Sequence, residues 1–402
     1  MSATANATPN PSPSNQFPSK RDRRWFFWPA VPLYPYGTRW TLRQEVVKDR
    51  IWTFDQVQGI LYVIVPVRMT VVRLNEGGLL VYAPIAPTAE CLGQLQELID
   101  RYGPIKYIIL PTVSAIEHKV PAGPFARKFP TAQVYVAPHQ WSFPVNLPLS
   151  WLGLPGNRTQ LLPPNSANTP FGEEFDYALL GPVDLNVGPF EEAVFFHRQS
   201  QTLLVTDTVM SIPESPPAVM DFDPYPLLFH ARDRAQDPID NTPENRLKGW
   251  QRIALFSFYF RPGALMDVNW GKVLKDASAA SDRSKRAYFG LFPFQWESHW
   301  QESFQTLRQG GRLFVAPVLQ KLILNRNPQQ VLDWADQVAQ WDFTQVIPAH
   351  FDAPVAASPA EFRQAFEFLQ EESSFPQADL ALIRQLDDLL QVVTPPPRNG
   401  AE

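Results

Sequence analysis

The stretch YIILPTVSAIEHK, residues 107–119, is an apolar run that ends in a glutamate, a histidine and a lysine. Its first four residues have the aromatic and β-branched character of a buried strand, and the residues after them follow the carboxyl end of that strand. Glu117 and His118 therefore lie together near a strand end. We expect other polar residues to acquire a chemical role where the chain folds back to meet this pair.

The composition of the 402-residue chain is that of a globular protein with a large core, since 45% of its residues are hydrophobic. The 35 basic and 40 acidic residues leave a formal charge of −5, which gives no electrostatic reason to expect a nucleic-acid partner. The single cysteine, Cys91, excludes an internal disulfide and any multi-cysteine metal cluster. No stretch reaches the roughly 20 apolar residues that span a bilayer, and no secretory signal pattern opens the chain.

The order of the predicted elements indicates an α/β layered domain. Runs rich in β-branched residues over 51–85 predict an antiparallel sheet, with a Gly-Gly pair as one of its hairpin turns. Leucines at helical spacing predict a helix over 88–102, and a shorter helix is predicted over 121–129. Two later strands end at Asp207 and at His350.

Composition also divides the chain into regions. Residues 1–40 are predicted to be a disordered tail followed by a basic and aromatic arm, because the tail has few large apolar groups to offset the entropy of ordering. The main domain is predicted over 41–370. Within it, the proline-rich and aromatic region 211–310 breaks the strand rhythm and is interpreted as an insertion or lid. Residues 371–402 are predicted to be a C-terminal helix and a disordered tail.

The order of these pieces carries a family resemblance. The chain resembles the metallo-β-lactamase superfamily in the order of four elements. These are an opening β-hairpin, a strand followed by a histidine, a strand ending in TD at Asp207 and a late strand ending in PAH at His350. The resemblance covers about residues 50–210 and 310–370. It implies an α/β fold, a metallo-β-lactamase-like αββα sandwich with a helical and loop insertion. The stretches HQWSFP and TRW further resemble a degenerate branch found in cyanobacteria and plastids.

The resemblance implies one retained metal position and one lost position. The superfamily signature H-x-H-x-D-H aligns with residues 113–118, where valine and alanine replace the first two histidines. A third histidine, expected near Pro189, is also absent. The residues that match the second position are Glu117, His118, Asp207 and His350. Two imidazoles and two carboxylates suit one Zn, Fe or Mn ion, although glutamate in place of aspartate extends the carboxylate by about 1.5 Å.

Two interpretations of this residue set stay open, and with them whether the protein is an enzyme. In the first, the chain binds no metal, its charged groups pair with one another, and it has a non-catalytic binding or assembly role in a phototroph. In the second, it is a mononuclear metal-dependent hydrolase with the retained ligand set. The sequence assigns no catalytic residue, no substrate and no organic cofactor, since GLPGN at 153–157 lacks the lysine and the helix of a phosphate loop.

Partner surfaces are predicted at the N-terminal arm and the insertion. Basic and aromatic residues of 20–40 favour either contact with an anionic membrane surface or an arm that lies over the domain. Together with the insertion, this arm is the candidate surface for a peripheral membrane or a protein partner. The expected location is the cytoplasm or the plastid stroma, with peripheral membrane contact as an addition. The remaining histidines are interpreted as structural, with His197 beside a solvent-facing turn; they are His139, His197, His230 and His299.

Overall fold

The computed structural model of the chain describes residues 19–25, 34–140, 147–185, 188–371 and 374–393. Several predictions fall partly or wholly beyond these ranges, among them the basic and aromatic arm, of which residues 26–33 are not described. Residues 1–18 of the predicted N-terminal tail, residues 394–402 of the C-terminal tail and residues 141–144 of HQWSFP lie outside the described residues.

The described chain alternates strands and helices. The strands are β1 (Leu42–Val47), β2 (Ile51–Ile60), β3 (Val63–Arg73), β4 (Leu79–Tyr82), β5 (Ile105–Leu110), β6 (Gln133–Val136), β7 (Thr159–Leu161), β8 (Phe175–Asp184), β9 (Pro189–His197), β10 (Thr202–Val205), β11 (Gln345–Pro348) and β12 (Val355–Ala356). The helices are α1 (Ala89–Tyr102), α2 (Ile116–Lys128), α3 (Tyr225–Ala231), α4 (Pro243–Tyr259), α5 (Trp270–Ser278), α6 (Trp300–Arg308), α7 (Pro317–Leu322), α8 (Pro328–Val338), α9 (Pro359–Gln364) and α10 (Ala381–Val393).

These strands form two sheets. The first runs in the order β1 to β7, antiparallel as far as β4 and parallel from β4 onward. The second has the order β12-β11-β10-β9-β8, and only β10 and β11 are parallel within it. Gly77 and Gly78, at φ +75° and +85°, close the β3–β4 hairpin in a conformation that glycine adopts without strain. The predicted opening hairpins are confirmed.

Alternating side chains on the strands define the layers. On β5, Ile108 packs with the buried residues of α1 and α2, whereas Ile109 faces the second sheet. On β9, Phe195 packs against the first sheet and Phe196 against the helices on the far side. Successive residues of a strand point to opposite faces, so each sheet contributes to two apolar layers. The predicted αββα sandwich, with helices outside two facing sheets, is confirmed.

The region 211–310 contributes α3 to α6. Trp250 and Phe258 of α4 belong to the same apolar cluster as Val205 of β10. The region therefore packs on the outer face of the second sheet. Among the described residues, no helix has both the length and the apolar character needed to cross a bilayer.

The described part of the N-terminal arm lies against the domain. Arg24 forms a β-bridge with Thr38, and the guanidinium of Arg23 lies 3.2 Å from the ring centroid of Trp40. The Trp40 ring in turn stacks on Phe222 at a centroid distance of 5.1 Å. This geometry agrees with the interpretation of the arm as a segment that covers the domain.

Candidate metal centre

Glu117 and His118 lie in the first turn of α2, which begins at Ile116. The sequence-based start of this helix at Pro121 is wrong. The carbonyl of Ala115 accepts the N–H groups of His118 at 3.1 Å and of Lys119 at 3.0 Å and so closes a helical turn ahead of the proline. As a result, the Glu117 carboxylate lies at a helix N-terminus, where the positive end of the helix dipole stabilises it.

Asp207 is carried on a short loop after β10 that Glu192 holds in place. The buried Glu192 carboxylate accepts the backbone N–H groups of Thr206, Asp207 and Thr208 at 2.7, 2.9 and 3.0 Å, and the Thr208 hydroxyl at 3.0 Å. Burial and the charge of Asp207 raise the pKa of Glu192 to about 7, against the effect of those donors. Glu192 thus fixes the backbone from which the Asp207 side chain projects.

His350 follows β11, and the register of the sheet places it beside Asp207. Val205 pairs with Pro348 across the parallel strands β10 and β11. Asp207 and His350 each come two residues after that pair. The two side chains therefore emerge at the same carboxyl edge of the second sheet.

The first sheet fixes the orientation of the His350 ring. Nδ1 of His350 lies 2.8 Å from the carbonyl oxygen of Pro66 in β3. Because a carbonyl only accepts, Nδ1 carries the proton and donates it. Arg68, also in β3, donates to the carbonyls of Pro348 at 2.7 Å and Phe351 at 3.0 Å, on either side of the histidine. With Nδ1 held in this way, Nε2 is the ring atom directed at the site.

Three of the four predicted ligands converge. Nε2 of His350 lies 3.1 Å from Oε1 of Glu117 and 3.2 Å from Oδ1 of Asp207. One ligand atom of each residue lies within 4.8 Å of the other two. Donor atoms around a tetrahedral ion with bonds of 2.0–2.1 Å are about 3.3 Å apart. The two pairs that include Nε2 therefore have the spacing that a small divalent ion requires.

His118, the fourth predicted ligand, lies beside this group but is not part of it. Its ring centroid is 5.9 Å from that of His350. Its Nδ1 is 3.3 Å from the carbonyl of Pro84 and is therefore the protonated nitrogen. The buried Nε2 has no hydrogen-bond partner among the described residues. An unsatisfied buried acceptor costs roughly 1–3 kcal/mol, and a cation at the site would remove that cost.

The charges within the group set its pKa values. Burial lowers the pKa of His350, but its hydrogen bonds and ion pairs with Asp207 and Glu117 outweigh burial and raise it to about 10. Burial raises the pKa of Glu117, but the hydrogen bond and charge of His350 outweigh burial and lower it to about 2. Burial lowers the pKa of His118, which favours the neutral imidazole that binds metals. Without an ion, a proton on His350 therefore links two carboxylates at neutral pH.

The other histidines lie outside the convergent group. Nδ1 of His139 is 3.3 Å from Oε2 of Glu191, in agreement with a hydrogen-bonded loop residue. The prediction that His197 faces solvent is wrong, because the side chain is fully buried and its Nδ1 is 2.7 Å from the Ser200 hydroxyl. The Nε2 atom of His230 is 3.0 Å from a backbone carbonyl, which agrees with a structural role.

Sequence reasoning missed the residues that support the site. Glu192 and Arg68 were not selected, nor were the carbonyl groups of Pro66 and Pro84 that fix the two imidazoles. The signal that could have found Glu192 and Arg68 is a charged residue inside an otherwise apolar strand, because a buried charge requires a partner. Arg68 meets that need with Asp55, at 2.7 Å in a fully enclosed pair.

Comparison with known proteins identifies one matching family. Residues 48–368 match the model described as "Domain of unknown function (DUF4336)". That range contains all four predicted ligands. No curated protein sequence matches the chain.

Solved structures with a similar chain path include metallo-β-lactamases and a flavodiiron core. The metal-soaked flavodiiron core of Flv1 from Synechocystis is 11% identical with a TM-score of 0.41; the match covers 83% of this chain and 62% of that chain, so this protein spans less than two thirds of its length. The mono-zinc form of FIM-1 from Pseudomonas aeruginosa is 12% identical with a TM-score of 0.39, over 84% of this chain and 97% of that one. A metallo-β-lactamase from Pontibacter korlensis is 10% identical with a TM-score of 0.36, over 83% of this chain and 100% of that one. Likenesses of this size do not assign an activity.

Proposed function

The chain belongs to the DUF4336 family, and we propose that it binds one divalent metal ion at Glu117, Asp207 and His350 and acts as a mononuclear metal-dependent hydrolase. His118 is the fourth ligand in this proposal. Zn, Fe and Mn all accept such a mixed set of imidazoles and carboxylates.

The proposal rests chiefly on the orientation of His350. The Pro66 carbonyl accepts a hydrogen bond from Nδ1–H, which is the arrangement that usually fixes a metal-binding histidine. Nε2 is then directed at two carboxylate oxygens 3.1 and 3.2 Å away. A neutral imidazole would present a lone pair to two anions there, so this position requires a cation, either a proton or a metal ion.

The surrounding residues fit a metal ion. His118 presents a buried, unsatisfied Nε2 beside the group. Glu117 and Asp207 each keep 17% of the side chain exposed, so the site communicates with solvent. A bound divalent ion would lower the pKa of a coordinated water and polarise the bond to be broken. Glu117 or Asp207 would orient that water by hydrogen bonding, while Glu192 and Arg68 hold the ligands in position.

A second candidate function is a non-catalytic binding or assembly role in a phototroph. The observation in its favour is that a proton on His350 already pairs with both carboxylates and offsets one of their two negative charges, since the pKa of that imidazole is raised to about 10. The replacement of the two early signature histidines by Val113 and Ala115 also favours it. In this case the three side chains form a hydrogen-bonded structural triad, and the sandwich serves as a rigid scaffold.

Metal titration of the full chain separates the two. After chelation and dialysis, calorimetry with Zn²⁺ or Mn²⁺ should show one ion per chain, and Glu117→Gln and His350→Ala should abolish binding. His139→Ala is the matched control, because it breaks a carboxylate–imidazole pair outside the group. A folded chain that takes up no metal refutes the proposal. If the metal-loaded chain cleaves none of a panel of carboxylic ester, phosphate ester and thioester substrates, the result supports the non-catalytic binding or assembly role.

A further inference from the structure

Large apolar side chains are exposed unevenly over the described chain. Six of the 13 exposed large hydrophobic residues fall within positions 260–289. We call these six the apolar patch: Phe260, Met266, Val268, Trp270, Leu274 and Phe289. Scattered single residues of this kind need no explanation, but a concentration marks an interaction surface.

Helix α5 presents the centre of the patch. Trp270 and Leu274 are four residues apart and so lie on one face of the helix, with 62% and 64% of each residue exposed. Val273 is the buried residue of the same helix and attaches it to the domain. The helix therefore lies on the surface with two large apolar side chains directed outward.

Two local contacts place other residues of the patch near α5. The ion pair of Arg261 with Asp267 closes the loop between Phe260 and α5. At the other end, Gly290 packs so closely on α5 that an added Cβ would lie 2.7 Å from the carbonyl oxygen of Ala277. That approach places the preceding residue, Phe289, beside the helix.

The net charge of the segment that carries the patch is opposite in sign to that of the whole chain. Positions 260–289 contain six basic residues, Arg261, Lys272, Lys275, Arg283, Lys285 and Arg286, and three acidic residues, Asp267, Asp276 and Asp282. The segment thus has a formal charge of +3 within a chain of −5. Lys272 and Lys275 are exposed on α5 itself.

We propose that the apolar patch docks the protein on an anionic lipid bilayer, with Trp270 and Leu274 in the headgroup region and the surrounding basic residues against lipid phosphates. Tryptophan, phenylalanine and leucine flanked by lysine and arginine are the side chains that partition to such an interface. A second copy of this chain is a poorer occupant, since it would bring two segments of positive charge together. The proposal is independent of the metal site, because the patch contains none of its ligands.

Vesicle co-sedimentation of the full chain tests this docking surface. The chain should pellet with phosphatidylcholine vesicles that contain about 30% phosphatidylglycerol and much less with phosphatidylcholine alone. Trp270→Ser with Leu274→Ser should lower the partition coefficient about tenfold or more. Lys272→Glu with Lys275→Glu should produce a similar loss on anionic vesicles at low salt.

A matched control pair lies elsewhere on the surface. Trp151 and Leu161 are 74% and 52% exposed, so Trp151→Ser with Leu161→Ser removes the same two residue types and should leave vesicle binding unchanged. Equal loss in both double variants, or no binding by the parent chain, overturns the proposal. Light scattering that shows a dimer dissociated by the Trp270 and Leu274 substitutions, without vesicle binding, also overturns it and assigns the patch to self-association.

Discussion

Metal binding should displace one proton from His350. The apo site holds that proton between Glu117 and Asp207, and the same Nε2 must lose it to become a ligand. With a pKa of about 10, only about one chain in 1,000 has the unprotonated imidazole at pH 7. The proton therefore weakens the apparent metal affinity about 1,000-fold at that pH, equivalent to about 4 kcal/mol.

The sign and slope of this effect follow from competition. Because the metal ion competes with the proton, affinity rises with pH, by about tenfold per unit between pH 6.5 and 8.5. The other ligands contribute little slope in that range, since the pKa of Glu117 is lowered to about 2 and that of His118 is also lowered. Calorimetry in buffers of different ionisation enthalpy should count close to one proton released per ion.

Two results would refute this reasoning. Affinity that stays flat from pH 6.5 to 8.5, with no proton released, would mean that His350 is neutral in the apo chain. An NMR titration of the metal-free chain in which the His350 imidazole loses its proton below pH 7 would assign the released proton to another group. The matched control His139→Ala should retain both the slope and the proton count of the parent chain.

Three further substitutions test one ligand of the site and the two residues that support it. Glu117→Asp should weaken metal binding at least about tenfold, because it withdraws the carboxylate by about 1.5 Å where ligand distances vary by only about 0.2 Å; calorimetry showing equal affinity would contradict this. Glu192→Gln should cost about 1–3 kcal/mol in urea unfolding, since one amide N–H₂ then faces backbone donors, and an unchanged midpoint would contradict it. Arg68→Met should destabilise by about 3–5 kcal/mol by leaving Asp55 buried and unpaired; most of that loss should return in Arg68→Met with Asp55→Leu, and equal destabilisation of both variants would refute the explanation.

Local sequence patterns predicted much of the fold. The helix α1 begins after its Thr88 cap, whose hydroxyl accepts the Cys91 N–H, and ends at Gly103 with φ +100°. Both ends follow from side-chain capping and glycine chemistry, which act over a few residues. The strands that precede Asp207 and His350 could also be predicted, because each of those residues follows a short apolar run.

Long-range contacts explain what sequence alone did not predict. Glu192 lies in β9, and its partners lie 14 to 16 positions later, so no local pattern links them. The hydrogen bond between Pro66 and His350 spans 284 positions. The buried state of His197 likewise depends on how the hairpin packs, which turn composition does not specify.

The position of the ligands between two sheets has a consequence for folding kinetics. Glu117 extends from the helix after β5 of the first sheet, whereas Asp207 and His350 follow neighbouring strands of the second. An ion held by all three would bind only after the sheets have docked, a late step that closes very long loops. Such an interaction is absent from an early transition state, so it slows unfolding and leaves the refolding rate almost unchanged. A bound ion would then set how long the native chain persists, more than how quickly it forms.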